Sequence, residues 1–305
     1  MMKKWKLDNM PDQTGRVAIV TGANTGIGFE TAAALAAKNA KVIMACRNRQ
    51  KAEDAIKRIR QRTAHAQLEF IELDLASLAS VERFAAAFRA GHKRLDLLIN
   101  NAGVMIPPLG HTEDGFELQF GCNHLGHFAV TGRLLDLLEA PDGARVVNVS
   151  SMAHRYGTMD FDNLNAEKGY DKMPAYGQSK LANLLFTFEL QRRLESAGSS
   201  VTATAAHPGW TGTDLQRHSG AIRFLNFFFA QPPPMGALPT LRAATDPRAE
   251  GGDYFGPRGL YEIRGYPKPV GSTPAAKNEL DAGRLWDISE KLTGVSFLSK
   301  ESNTE

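Results

Sequence analysis

The strongest catalytic signal in the sequence is the segment Tyr176-Gly-Gln-Ser-Lys180, a tyrosine and a lysine four positions apart at the head of a helical pattern. At that spacing two side chains share one helix face, so the lysine ammonium can approach the phenol oxygen. Two unit charges about 4 Å apart at an effective dielectric near ~20 interact by roughly 4 kcal/mol, which would bring a tyrosine pKa from ~10 toward ~7. Such a phenol can give or take a proton at physiological pH. A Tyr-x-x-x-Lys pattern alone also describes many exposed helix faces, so its neighbours matter. Ser150 and Ser151 follow the apolar run Arg145 to Val149. Asn123 stands with His124, Leu125 and Gly126 inside a long helical pattern from Phe116 to Glu139, where an asparagine weakens a helix unless its side chain is needed.

The elements that must position these groups begin with VAIVTGANTGIGFETAAAL, from Val17 to Leu35. Four apolar residues without alternation suit a parallel strand covered on both faces, and the helical pattern follows too soon for a hairpin. Strand, turn and helix are therefore expected. Gly22, Gly26 and Gly28, with Thr25 and Ile27 between them, make a turn that bends sharply and opens a helix whose free N–H groups can receive a diphosphate. The spacing is Thr-Gly-x-x-x-Gly-x-Gly rather than G-x-G-x-x-G. Lys41 to Ala45 reads as a second strand, with Asn39 in the left-handed position after the first helix. Where an NAD-binding fold places an acid to hold the ribose 2′-hydroxyl, this chain has Cys46-Arg47-Asn48-Arg49. An arginine there suits a 2′-phosphate, favouring NADP(H) over NAD(H); the plainer reading is a solvated loop charge.

Further along, Lys51 to Arg62 is a charged amphipathic helix and Leu68 to Leu73 a third strand, ending at Asp74-Leu75. Asp74 can accept from an adenine amino group or cap the next helix, Ser77 to Phe88. A fourth strand, Leu95 to Ile99, runs into Asn100-Asn101-Ala102-Gly103, whose small residues leave room for a ribose. Arg145 to Val149 is the fifth strand and delivers the serines at its carboxyl end, where open α/β sheets place their chemistry. After the helix Leu181 to Leu194, the sixth strand Val201 to Ala206 leads into His207-Pro208-Gly209-Trp210-Thr211-Gly212-Thr213. The stretch Leu215 to Gly236, with Phe224, Leu225, Phe227, Phe228 and Phe229 before three prolines, closes a pocket or touches a membrane or partner. A short helix near Ala237 to Ala244, a seventh strand Asp253 to Phe255 and a final helix Leu280 to Leu292 complete a Rossmann-type, doubly wound α/β fold. Its mostly parallel sheet is expected to have seven strands within a single domain spanning 1–305. A substrate-loop insertion lies at about 214–236 and a C-terminal extension at about 257–305.

Composition narrows the class. The 305 residues carry a formal charge of only +3, which suggests neither disorder nor a nucleic-acid binder. The opening MMKKWKLDNM has no apolar core for a signal sequence, and no later run approaches the ~20 uncharged residues of a membrane helix. A soluble, cytoplasmic protein is expected. Cys46 and Cys122 are too few for a disulfide framework or a zinc site and read as buried small apolar residues.

Taken together, Thr21-Gly-x-x-x-Gly-x-Gly28, Asn100 to Gly103, Asn123 to Gly126, Ser151, Tyr176 to Lys180 and Pro208-Gly209 occur in one order, each at the carboxyl side of a strand or in the helix beyond it. This set resembles the short-chain dehydrogenase/reductase family from about Gly15 to Thr213. Its wording (TGANTGIG, ACRN, NHLGHF, VVNVSSMAHR, YGQSKLANLLF) is most similar to the retinol dehydrogenase and WW-domain oxidoreductase branch. The resemblance implies a catalytic set of Asn123, Ser151, Tyr176 and Lys180, with Ser150 the fallback for Ser151. Tyr176 would exchange the proton, Ser151 polarise the carbonyl oxygen, Lys180 lower the tyrosine pKa and bind the nicotinamide ribose, and Asn123 hold a relay water. The resemblance further implies Gly22, Gly26 and Gly28 at the diphosphate, Arg47 at the 2′-phosphate and Asp74 at the adenine. Asn101, Ala102 and Gly103 would lie along the adenosine side, and Pro208, Gly209 and Thr213 at the nicotinamide end, beside Trp210. No metal is required.

Residues and resemblance together imply an NADP(H)-dependent oxidoreductase interconverting a carbonyl and an alcohol on an apolar small molecule. A protochlorophyllide-reductase-like enzyme and a non-catalytic NADP(H)-sensing regulator are the alternatives. Members of the branch often carry an N-terminal membrane anchor or WW domains, neither of which is read here, and Asn24-Thr25 replaces the basic residue of many NADP-preferring relatives. Leu181, Leu184, Leu185 and Phe188 give the catalytic helix an apolar stripe. Core packing explains it most simply, but family members pair this helix across subunits, so a homodimer or homotetramer is expected.

Overall fold

The structure is a computed structural model and describes residues 4–211 and 230–298. The expectations for Thr213 and for the aromatic run Phe224 to Phe229 lie outside the described residues. One sheet holds β1 (Val17–Thr21), β2 (Lys41–Cys46), β3 (Gln67–Glu72), β4 (Leu97–Asn100), β5 (Arg145–Val149), β6 (Thr202–Ala206), β7 (Tyr254–Pro257) and β8 (Pro267–Pro269), in the order β3-β2-β1-β4-β5-β6-β7-β8. The pairings from β3 across to β7 are all parallel. The eight strands correct the expected seven. The addition, β8, runs antiparallel to β7 with Phe255 opposite Pro269. Pro-Lys-Pro offers no alternation to read, and a strand with so few N–H donors is tolerated only at a sheet edge.

Alternate residues of the central strands feed two apolar layers, as a period of two requires. Ala18, Val20, Val42 and Met44 pack under α1 (Gly26–Ala37), α2 (Arg49–Arg62) and α7 (Pro233–Thr245). Ile19, Ile43, Ala45 and Leu98 pack under α3 (Leu78–Gly91), α5 (Gly126–Glu139), α6 (Lys172–Ser196) and α8 (Glu279–Thr293). Strand order reverses direction at β1, between β2 and β4, and this switch point opens a crevice at the carboxyl ends of the strands.

Local chemistry sets the helix ends. Asn39 takes φ 72° after α1, as expected. Asn48 caps α2 by accepting from Lys51 N, and Ser77 caps α3 by accepting from Ser80 N. The helix carrying Tyr176 opens at Lys172, a turn earlier than its pattern implied, because Asp171 accepts from Met173 N and Pro174 fits the first turn. Pro233 and Pro234 likewise start α7 inside the stretch read as irregular. The stripe of α6 lies in the core: Leu181, Leu184 and Leu185 are buried with Ala282 and Leu285 of α8, and Phe188 packs against them. That stripe is therefore covered within the subunit by α8. Among the described residues no helix is long and apolar enough to cross a membrane.

Candidate active site

The crevice floor is built by Thr21 at the end of β1. Its Oγ1 accepts from Asn101 N and Ala102 N, both at 2.9 Å, while Asn101 Nδ2 donates to Thr21 O at 2.8 Å. The turn after β1 and the turn after β4 are thus one hydrogen-bonded unit. Gly22 turns with φ +67°, and a Cβ on Gly28 would stand 2.4 Å from Gly22 O and 2.6 Å from Asn101 Nδ2. No side chain fits there, so the N-terminus of α1 is pressed against a bare turn with Thr25 as its N-cap. Gly22, Gly26, Ile27, Asn101, Ala102 and Gly103 remain partly exposed along the crevice, and Thr25 is exposed. The residues present therefore fit a diphosphate: open backbone at a helix N-terminus, with no side chain plugging it.

At one end of the crevice, Arg47 is 70% exposed and its Nη1 lies 3.8 Å from Asp74 Oδ2. An exposed pair at that separation is weak and leaves the guanidinium free to turn toward an anion. Arg49 belongs instead to α2, ion-paired with Glu53 at 3.6 Å and lying over the Phe70 ring. Asp74 does not cap α3, as one reading allowed; that role is Ser77's, and Asp74 Oδ1 accepts from Ala76 N within its own turn. Leu75, partly buried, packs against Gly126, whose Cβ would meet Leu75 O at 2.8 Å. The thiols of Cys46 and Cys122 are buried, and burial pushes both up to about 12, which suits inert packing residues.

At the other end stand the groups that could move a proton. The expected interruption of the helix around Asn123 is a π-helical segment, Gly121–Leu125, between the single turn α4 (Leu118–Phe120) and α5. Such a segment is rare and frequently marks a functional site. Asn123 Oδ1 accepts from Val104 N at 2.7 Å, and its Nδ2 donates to Val104 O and to Ser179 Oγ. Its side chain is thus committed to the loop after β4 and to α6. A Cβ on Gly103 would lie 2.8 Å from Asn123 Oδ1 and 3.5 Å from Lys180 Nζ, so these three positions converge.

Lys180 is buried and donates to Val149 O at 3.2 Å, with its Nζ 5.8 Å from the Tyr176 ring centroid. Tyr176 is buried with the Ser151 side chain beside its phenol, and Ser151 accepts from Ala153 N as the cap of a short 3-10 helix, Met152–Tyr156. Burial pushes the phenol up to about 12, partly offset by the Ser151 contact, and brings Lys180 down to about 8. This corrects the expected direction for Tyr176: desolvation outweighs any help from the ammonium, which is turned to a carbonyl instead. Ser150 is 2% exposed and donates to Lys180 O at 2.7 Å, so it is tied into α6. Of the nicotinamide-end residues, Pro208, Gly209 and Trp210 are partly exposed in the loop beyond β6.

Two residues of this region escaped the sequence reading. His127 donates from Nδ1 to Asn123 O at 3.0 Å, and its Nε2 accepts from Thr21 Oγ1 at 2.9 Å. It joins the glycine turn to the π segment, and burial lowers it to about 4, so it stays neutral. The other, Glu262, meets His207 Nε2 at 3.0 Å. Partners 106 and 55 positions apart leave no spacing signal; only a histidine on an otherwise apolar helix face could have pointed to the first.

A doubly wound sheet with an open glycine turn at its switch point, and a buried Tyr and Lys with a half-buried Ser beside it, defines a class: the nicotinamide-nucleotide oxidoreductases. The family model for short chain dehydrogenase matches residues 16–222, and the chain belongs to that family. It is 43% identical over 300 residues to retinol dehydrogenase 14 of Mus musculus, covering 92% of this chain and 86% of that one. It is 44% identical over 286 residues to retinol dehydrogenase 11 of Homo sapiens, with the same coverage. Among solved structures it resembles an uncharacterised protein from Mycobacterium paratuberculosis, with TM-score 0.81, 44% identity, and 97% and 99% of the two chains covered. A Pseudomonas aeruginosa structure described as an RhlG/NADP active-site complex aligns with TM-score 0.64 and 26% identity over 79% of this chain and 94% of that one. The protein is thus a retinol dehydrogenase-like oxidoreductase of alcohols and carbonyls that takes a nicotinamide nucleotide.

Proposed function

We propose that the chain is an NADP(H)-dependent enzyme that interconverts a carbonyl and an alcohol on an apolar small molecule, with Tyr176 as acid and base. The observation that carries this reading is the buried phenol of Tyr176 beside Ser151 and one helical turn from the buried Lys180. Gly22, Thr25, Gly26, Ile27 and Gly28 would hold the diphosphate, Arg47 the 2′-phosphate and Asp74 with Leu75 the adenine. Asn101 to Gly103 would line the adenosine side, and Pro208, Gly209, Trp210 and Thr213 the nicotinamide end. The bound nucleotide supplies or takes the hydride. The chain's own residues do the rest: Ser151 Oγ and the Tyr176 hydroxyl both donate to the carbonyl oxygen, and the Tyr176 proton passes to it as the alcohol forms. Lys180, cationic at neutral pH, stabilises the negative charge left on the phenol oxygen. Asn123 holds the water that returns a proton toward Lys180. A cytoplasmic location is part of the same proposal, to be read by fractionation of the expressing cells.

The test is NADPH oxidation by the full chain with a panel of aldehydes and ketones, repeated with Tyr176→Phe. Turnover that survives the substitution unchanged would remove Tyr176 as the acid. Tight NADPH binding with no turnover of any carbonyl would favour a nucleotide-sensing regulator.

A further inference from the structure

Outside the residues assigned above, the most unusual piece of backbone is the turn from Gly259 to Gly265, between β7 and β8. Tyr261 and Glu262 are consecutive non-glycine residues with φ 51° and 59°. Side chains rarely adopt that conformation, and it persists only where the surroundings over-determine it. Here they do. Gly259 N donates to Arg264 O, Glu262 N to Gly259 O, and Gly265 N to Gln231 Oε1. Trp210 N donates to Ile263 O at 2.7 Å, and a Cβ on Gly209 would stand 2.4 Å from that same oxygen. The turn is therefore pressed directly onto the Pro208-Gly209-Trp210 loop.

Glu262 makes the decisive attachment. Its Oε2 accepts from Arg155 Nη2 at 2.7 Å and from His207 Nε2 at 3.0 Å. His207 Nδ1 accepts from Gly209 N, which fixes the neutral tautomer that donates to Glu262. A Cβ on Gly256 would lie 2.0 Å from His207 Nε2, so the ring reaches the carboxylate only because that position is glycine. Arg155 lies in the 3-10 turn capped by Ser151. One carboxylate thus ties the segment after β5, which carries the proton-transfer serine, to the segment after β6, and fastens the outer turn to both.

What this anchoring displays is apolar. Leu260 is 79% exposed, Tyr261 74%, and Tyr156, next to Arg155, 85%. Large side chains held in water on a braced backbone are a signature of a binding surface rather than of packing. We propose that the Gly259 to Gly265 turn is the outer wall of the substrate site. Leu260 and Tyr261 determine specificity by contacting the apolar portion of the substrate that trails from the reacting carbon, and Glu262 is the positioning residue that holds them there. The proposal rests on the carbonyl-reductase reading of the site.

The experiment compares wild type, the double variant Leu260→Ser with Tyr261→Ser, Glu262→Ala and Glu262→Gln, as full chains with NADPH, on propanal and decanal. In the double variant the ratio of kcat/KM for decanal to that for propanal falls by about tenfold, the discrimination that a few apolar contacts support. Glu262→Ala lowers the same ratio through KM rather than kcat, and Glu262→Gln, which keeps an acceptor for one of the two donors, recovers part of it. An unchanged ratio in the double variant overturns the proposal while leaving the carbonyl-reductase reading intact. Failure of the wild type to turn over any carbonyl removes both. Co-sedimentation with phosphatidylcholine vesicles is measured alongside: loss of vesicle binding in the double variant with an unchanged ratio assigns the exposed side chains to a lipid surface and overturns the proposal.

Discussion

At the scale of single residues, the site is a contest between burial and charge. Tyr176, raised to about 12, is a protonated phenol at neutral pH, and Lys180, lowered to about 8, is still a cation there. That is the pair of states needed to protonate a carbonyl oxygen. Carbonyl reduction is therefore expected to run at a constant kcat/KM through neutral pH and to fall as pH rises through about 8, where the ammonium is lost. Alcohol oxidation, in which the phenol must accept a proton, is expected to climb over the same alkaline range. A pH profile in which reduction instead rises with pH would reverse the assignment. Tyr176→Phe should lower kcat by about 10²–10⁴-fold, the usual worth of a positioned acid, while NADPH binding followed by fluorescence is retained. The two serines separate by what they touch. Ser151→Ala should reduce kcat, whereas Ser150→Ala should reduce unfolding free energy by about 1 kcal/mol through loss of its bond to Lys180 O. That Tyr176, Lys180 and the two serines would gather at the carboxyl ends of the strands was legible in the sequence from their order and from the family resemblance. The direction of the tyrosine shift was not, because pairwise Coulomb reasoning omits desolvation, which depends on everything packed around the phenol.

At the scale of elements, the π segment Gly121–Leu125 is the joint on which both halves of the site turn. Asn123 pins the loop at Val104 and reaches Ser179 on α6, while His127, one turn later, reaches back to Thr21 in the glycine turn. Replacing His127 by Leu removes both hydrogen bonds by which the ring joins the Asn123 carbonyl to the Thr21 hydroxyl. Unfolding free energy in urea is expected to fall by about 1–3 kcal/mol, with weaker NADPH binding as the turn loosens. Arg47→Ala tests the opposite end of the crevice: the loss of a charge-assisted contact of about 1.5–3 kcal/mol should raise the NADPH dissociation constant and leave that of NADH in place. Equal weakening of both nucleotides would remove Arg47 from the 2′-phosphate. Strands of unbroken apolar residues, such as Val17 to Val20, announced themselves as buried and parallel. Elements set by caps and edges did not. The start of α6 depends on Asp171 and Pro174 rather than on any apolar period, and β8 is Pro-Lys-Pro, which no pattern of hydrophobicity marks.

At the scale of the whole molecule, α8 completes what the sheet begins. Leu285 and Trp286 are buried against the other helices of that face, and Ser289 Oγ bonds His124 Nε2, inside the π segment, at 2.8 Å. Leu285→Ala is expected to destabilise the fold by about 2–5 kcal/mol in chemical denaturation, the range for a buried leucine whose site collapses incompletely. The doubly wound class was legible because alternating strand and helix patterns leave few arrangements. The docking of α8 on α6 was not, since an apolar stripe says that a face is covered without saying by what. Beyond α8, Phe297 fills the space over Gly132, where a Cβ would stand 2.4 Å from its ring. During synthesis, then, the layer that supports the proton-transfer groups stays open until residues near Phe297 have cleared the ribosome. A nascent chain stopped short of α8 would carry every residue of the proposed catalytic set and still present a sticky, unfinished core to chaperones and proteases.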